Sequence, residues 1–175
     1  MEYRKLLYEE VNIDLFKNFR RYQKVTKCWR KENDEWVIKD VPFIDDWNED
    51  EYEILIKYLK NTIETKGIVY GAFIDNNLKG FASVEYDFID KSNIYFDLSS
   101  LHVSEDMRGN GIGKTLFQMS ANWAKESGAK KLYISAHSAI ETQKFYKAMG
   151  CTEALEYNES HVAREPFDCQ LEYIL

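Results

Sequence analysis

Three glycines at alternate positions in Arg108-Gly109-Asn110-Gly111-Ile112-Gly113-Lys114-Thr115 strip side chains from a turn that runs into an amphipathic stretch. Such a backbone is suited to an anion. Glycine permits positive φ and close approach of a ligand to the amides, and a helix beginning there presents unpaired N–H groups and the positive end of its dipole. Phosphate is the natural guest. The spacing excludes two phosphate-binding patterns by one residue each. A nucleotide P-loop needs glycine where Arg108 stands, and an Asp closing a later strand, which Lys131 to Ala136 lacks. A dinucleotide loop reads G-x-G-x-x-G, whereas this one reads G-x-G-x-G.

The elements around the turn must hold it in place. Before it, Ile94 to Ser104 is a strand-like run; after it, Ile112, Leu116, Met119 and Trp123 recur on one helical face, with Gly128 just past the end. Lys131 to Ala136 then reads as a strand parallel to Ile94–Ser104 through a helical crossover, so the sheet turns from antiparallel to parallel here. Ile140 to Met149 is a second helix carrying Phe145-Tyr146 and stopped at Gly150-Cys151; a charged loop reaches Pro166, and Asp168 to Leu175 is a terminal strand.

Upstream, Tyr3 to Tyr8 forms a first strand, and Asn12 caps a helix with Leu15, Phe16, Phe19 and Tyr22 on one face. Asn48 with Glu51 three residues on opens a helix over Tyr52, Leu55, Leu59 and Ile63 that Gly67 ends. Ile68–Ile74 and Leu78–Phe88 form an antiparallel hairpin about Asp75-Asn76-Asn77. Between Val25 and Trp47, Pro42 argues against a helix, and Trp29, Trp36, Phe43 and Trp47 interleave with Arg30, Glu35, Asp45 and Asp46. This stretch is either a hairpin or loop packed over the core, or an aromatic and acidic wall for an amine with an apolar body.

Composition sets outer bounds. At 175 residues and 45% hydrophobic content the chain supports one full core and one domain. No apolar run approaches a membrane span or a secretory signal, which implies a cytoplasmic protein without a membrane partner. A net charge of -7 argues against sequence-independent nucleic-acid binding and accords with a cationic acceptor. Cys28, Cys151 and Cys169 are far apart, with no metal-ligand spacing, and read as free thiols; no metal is expected.

The pattern R-x-x-G-x-G from Arg108 through Gly111 to Gly113, set in this order of strand, loop, helix, strand and Phe-Tyr helix, resembles the pyrophosphate loop of the GNAT superfamily. These are acetyltransferases that use acetyl-CoA. The likeness covers residues 66 to 175 and is loose before that. It implies an α/β (α+β) fold in a single domain over 1–175: a mixed, mostly antiparallel central sheet, a parallel pair splayed at the cofactor site, and helices on both faces. Residues 21–47 would be an aromatic and charged insertion on the acceptor side.

The resemblance also implies roles. Acetyl-CoA would be the acetyl donor, its pyrophosphate held by Arg108, Gly109, Asn110, Gly111, Ile112, Gly113 and Lys114. Leu101 would offer its N–H to the acetyl carbonyl and Val103 would bond the pantetheine arm. Tyr146, beside Phe145, stands where the superfamily places a phenol near the sulfur. Many members carry an asparagine early in this helix; here the segment reads Ser138-Ala139-Ile140-Glu141-Thr142, and Ser138 is the substitute contact. For the base, Asp97 lies on the strand before the loop and Glu85 on its neighbour, each also readable as a solvated or salt-bridged carboxylate. Strand alternation sends His102 to the face opposite Leu101, while His137 and His161 read as surface residues and Cys151 as a small core residue. The expected activity is transfer of acetyl to a primary amine, small molecule or peptide, by direct attack in a ternary complex; the alternative is a non-catalytic CoA-binding sensor or interaction domain. A homodimer is compatible with an available edge strand.

Overall fold

The computed structural model describes residues 1–92 and 94–175. Its elements are β1 (Glu2–Lys5), the hairpin β2 (Tyr22–Glu32) and β3 (Glu35–Asp46), α1 (Glu49–Glu64), β4 (Ile68–Ile74), β5 (Asn77–Val84), β6 (Tyr95–Asp97), β7 (Ser100–Val103), α2 (Ile112–Glu126), β8 (Lys131–Ala136), α3 (Ile140–Met149), β9 (Thr152–Glu153), α4 (Glu159–Arg164) and β10 (Cys169–Ile174). They build two four-stranded sheets, β1-β4-β5-β7 and β6-β8-β10-β9, and the separate two-stranded hairpin. All pairs are antiparallel except β6 with β8.

Period-two alternation along β4 and β5, shifted by one at a bulge about Lys79, decides which helix covers which face. Val69, Phe73, Leu78 and Phe81 point to α1, where they bury Leu55 and Leu59. Ile68, Ala72, Ala82 and Val84 point the other way, against Ile112, Leu116 and Phe117 of α2. Helices therefore lie on both faces. The start of α1 is set locally: Asn48 Oδ1 accepts the Glu51 N–H at 3.1 Å and the Glu51 carboxylate accepts the Asn48 N–H at 2.8 Å. Asp75 and Asn76, both at positive φ (48° and 63°), make the two-residue turn between β4 and β5. No helix among the described residues is long and apolar enough to cross a membrane.

Three expectations need correction. The Asn12 cap forms, its Oδ1 accepting from Asp14 and Leu15 N–H at 3.0 and 3.3 Å, but it starts a 3-10 turn over Ile13–Phe16 rather than a helix reaching Tyr22. Phe16 and Phe19 bury against Phe81, while Arg21 is drawn to Asp45 at 2.5 Å and Tyr22 pairs with Asp46 to open the hairpin. The charged loop before Pro166 contains the short helix α4. The run Ile94–Ser104 is two strands. Leu98 N–H still bonds Tyr133 O of β8 at 2.9 Å, yet Ser99 N–H turns to Ser83 O at 3.0 Å, and β7 pairs with β5 and not with β8 among the described residues. The Ser99 hydroxyl holds that turn, lying 2.8 Å from Ser83 Oγ and donating to Glu85 at 2.7 Å. A gap opens between β7 and the second half of β8.

The hairpin lies across the start of α3. Trp29 N–H donates to Ser138 O at 2.8 Å, and Pro42, with no N–H to give a ladder, sits where Val41 and Pro42 bulge opposite Thr26. Its far end is pinned to β9. Burial alone would raise the Glu153 carboxyl, but hydrogen bonds from Lys31 (2.7 Å), Tyr157 and Trp36 (2.9 Å) outweigh it and hold the pKa at about 2. A depressed folded-state pKa stabilises above the unfolded value near ~4.3 and is lost as pH falls through the folded one. Thermal melts should therefore show Glu153→Gln less stable than the native chain at pH 7, the difference vanishing between pH ~4 and ~2. A difference that persists at the acid end would mean that Glu153 does not pin the hairpin as a carboxylate.

Candidate active site

The glycine loop delivers the chain from β7 into α2. Gly109 and Gly111 sit at φ 81° and 80°, where a side chain is strained, and a Cβ at either would meet nothing within 4 Å. Gly113 differs. It lies in α2, where a Cβ would come 3.2 Å from the Phe145 ring, so its hydrogen admits α3 against α2. The first helical bond from the loop runs from Thr115 N–H to Gly111 O at 3.1 Å, leaving the Ile112, Gly113 and Lys114 N–H groups without an intrahelical partner.

These N–H groups open on a groove of about 630 Å³ that continues into the gap beside β7. Ser104 N–H bonds Lys79 O at 2.9 Å on the β5 side, so alternation turns the Leu101 and Val103 backbone groups to the gap. Arg108 Nε donates to Val103 O at 3.3 Å from that side. Among the described residues, Arg21, Lys24, Arg108 and Lys114 line the groove against the single carboxylate Glu141, and the buried Nε of Arg21 has no partner. A polyanionic ligand with a narrow arm fits this lining. Of the sequence-predicted contacts, Leu101, Val103, Arg108, Gly109, Gly111, Ile112, Gly113, Lys114, Phe145 and Tyr146 line it. Asn110 and Ser138 do not: the Asn110 amide donates to the carbonyls of Met107 and Arg108 within the loop (3.2 and 3.3 Å), and Ser138 accepts from Arg30 at 2.6 Å.

Tyr146 is buried on α3, against Phe117 and Phe145. Burial, with Cys151, Asp168 and Asp97 acting in the same sense, pushes its phenol well above the ordinary value, so it is protonated at neutral pH. Its hydroxyl makes no hydrogen bond to the described residues. The Cys151 and Cys169 thiols are raised to about 12, chiefly by burial, and are protonated at neutral pH.

A second cavity, about 820 Å³, lies on the α1 side of the gap. Leu98, Ser99, Ser100, His102 and Ser135 line both, so the two meet where β6 passes into β7. Its chemistry is opposite to that of the groove: Glu51, Glu85, Asp87, Asp97, Glu165 and Asp168 line it, with Arg164 and His161 as the basic side chains. Glu85 accepts from the Thr62 and Ser99 hydroxyls, each at 2.7 Å. Asp97 is 7% exposed; its Oδ2 lies 2.9 Å from His161 Nε2, and its Oδ1 is buried with no partner among the described residues. Of the four aromatic residues expected in an acceptor wall, Trp47 lines this cavity; Arg21, Gln23 and Lys24 of the hairpin segment line the groove instead.

His102 does take the face opposite Leu101, between Trp47 and Phe81 at 4.8 and 5.2 Å. Burial, aided by the Arg21 and Arg108 charges, lowers its pKa to about 3, which makes it a poor proton acceptor at neutral pH. His161 is not the surface residue the sequence suggested: α4 carries it onto Asp97 and stacks its ring on Tyr133 at 5.4 Å. Asp168 was also missed. It lines the acidic cavity, accepts from Ser135 Oγ at 3.1 Å, and is raised by burial to about 6. No local pattern marks either residue, since both depend on the fold of the segment after β9.

No curated protein matches the sequence. Solved structures that share the fold over nearly the whole chain include the following three. A putative streptothricin acetyltransferase from Bacillus anthracis in complex with acetyl coenzyme A has a TM-score of 0.70 at 18% identity, covering 99% of this chain and 96% of that one. A nourseothricin acetyltransferase has a TM-score of 0.65 at 18% identity, covering 98% and 95%. The PaiA N-acetyltransferase from Thermoplasma acidophilum in complex with coenzyme A has a TM-score of 0.61 at 16% identity, covering 99% and 98%. The profile of the acetyltransferase (GNAT) family matches residues 22–151, from the first strand of the hairpin through the Tyr146 helix. The chain belongs to the acetyltransferase (GNAT) family, and is an acyltransferase.

Proposed function

We propose that this enzyme is an N-acetyltransferase that moves the acetyl group of acetyl-CoA to a cationic primary amine by direct attack within a ternary complex. The observation that carries the reading is the opposition of charge across the gap: a groove rich in cations on one side and a cavity lined by six carboxylates on the other. An anionic donor and a cationic acceptor are thereby drawn to opposite ends of one opening, with their reacting groups meeting at its middle.

The donor is held at its pyrophosphate by Arg108, Lys114 and the N–H groups of the loop and first α2 turn, with Gly109 and Gly111 keeping that backbone bare. The Val103 backbone bonds the pantetheine arm. The Leu101 N–H polarises the acetyl carbonyl and stabilises the oxyanion as the amine attacks. On the acceptor side, the ammonium settles against Asp97, whose free Oδ1 takes the proton that the nitrogen must lose. Glu85, tied to two hydroxyls, keeps the site negative, and Trp47 walls the apolar body of the substrate.

The new C–N bond forms and the C–S bond breaks; the Tyr146 phenol passes a proton to the departing thiolate and is restored by the second proton that the nitrogen loses as the amide forms. A thiol is a fair leaving group, so this last contribution is small. Protonated Cys151 and Cys169 offer no nucleophile for an acetyl-enzyme, which supports direct transfer.

The test is an acceptor panel under saturating acetyl-CoA, read by thiol release and product mass. Spermidine, lysine amide and streptothricin, the last included for the name of the structural neighbour, should exceed glutamate and neutral amines by about tenfold or more in kcat/KM. If acetyl-CoA binds but no amine is turned over, a non-catalytic CoA-binding domain becomes the better reading.

A further inference from the structure

Asp97 is a carboxylate with one oxygen held and the other free. Oδ2 lies 2.9 Å from His161 Nε2, while Oδ1 is buried, unpartnered, and belongs to a residue lining the acceptor cavity. A carboxylate with one oxygen pressed against a fixed polar ring cannot turn freely, so the direction of its second oxygen depends on whatever holds the first. The imidazole is in turn fixed. Its ring stacks on Tyr133 at an interplanar angle of 27°, and its backbone N–H donates to Asn158 Oδ1 at 3.1 Å. Asn158 is itself anchored outside α4, its N–H donating to Tyr133 Oη at 2.8 Å and its amide to Ile89 O at 3.2 Å. Tyr133 is locked by donating to Gln170 Oε1 at 2.6 Å. This chain of contacts runs from β8 and β10 through α4 to one carboxylate oxygen.

We propose that His161 is the positioning residue of the acceptor site. Resting on the acceptor reading above, it holds Asp97 so that Oδ1 faces the incoming ammonium, and α4 serves as the support that brings the imidazole there. A fixed imidazole in polar contact with one oxygen orients the carboxylate at little cost at the moment of reaction, as preorganised polar groups do generally. Because His161 acts through Asp97, its removal should change the rate of amine attack and leave the donor side alone.

His161→Phe keeps a ring to stack on Tyr133 and removes the donor. It should lower kcat for the amine about 10- to 100-fold, with the KM for acetyl-CoA unchanged. His161→Gln, whose amide can still donate to Oδ2, should recover most of that loss. In the Asp97→Asn background, His161→Phe should cost nothing further, because there is no base left to aim. Thermal scans report whether each protein is folded; should the Phe variant not fold, His161→Leu set against His161→Gln makes the same comparison.

An amine rate for His161→Phe within threefold of native, a Gln variant no better than Phe, or full additivity with Asp97→Asn would each overturn the assignment. A native enzyme that acetylates no amine would overturn the acceptor reading and this inference with it. A native enzyme that acetylates amines but is indifferent to His161→Phe overturns this inference alone.

Discussion

Asp97→Asn is expected to bind acetyl-CoA like the native enzyme and to lose about 10²- to 10⁴-fold in kcat/KM for the amine, the range typical of removing a positioned general base. The substitution keeps the shape of the side chain and removes its charge and proton affinity. It does so at a residue that lines the acceptor cavity, with one oxygen against His161 and the other buried and unpartnered among the described residues. Initial rates at saturating acetyl-CoA, with calorimetric titration of the donor, separate the two effects. Activity within threefold of native would remove Asp97 from the reaction and turn attention to Asp168, which lines the same cavity with a pKa of about 6.

The second large effect is expected at the opposite end of the opening. Gly111→Glu places a negative side chain beside the N–H groups that would hold the donor's pyrophosphate. Because a Cβ at Gly111 meets nothing within 4 Å, the cost to the fold is the positive φ alone, about 1–2 kcal/mol. At a concentration about 100 times its dissociation constant, acetyl-CoA should add roughly 2.7 kcal/mol to the native protein and nothing measurable to the variant. Gly111→Ala carries the same strain without the charge, and should retain most of the stabilisation. If Gly111→Glu is stabilised as fully as the native chain, the loop is not the anion site.

These expectations draw on different depths of information. The loop was legible because its requirement is local: positive φ at Gly109 and Gly111 needs glycine whatever surrounds it. The helical faces of α1 and α2 and the caps at Asn12 and Asn48 are also written within a few residues of where they act, although at Asn12 the cap says where a turn begins and not how far it runs. The parallel return of β8 follows from the intervening helix. The break of Ile94–Ser104 was not legible, since a continuous strand-like run hides a turn held by Ser99 against Ser83 and Glu85, residues distant in the chain.

The sequence by itself determined the family, the two-faced sheet and the place of the glycine loop, because periodicity and glycine spacing act over distances that the chain itself spans. Tertiary structure alone decided the acidity of the acceptor cavity and the use of His161. The six carboxylates come from α1, the segment after β5, β6 and the stretch after α4, and net charge cannot tell a converging set from a solvated one. His161 sits on a short helix inside a run that reads as a charged loop. Only packing against Tyr133 and pairing with a buried Asp97 give it a direction, and neither partner lies nearby in the chain.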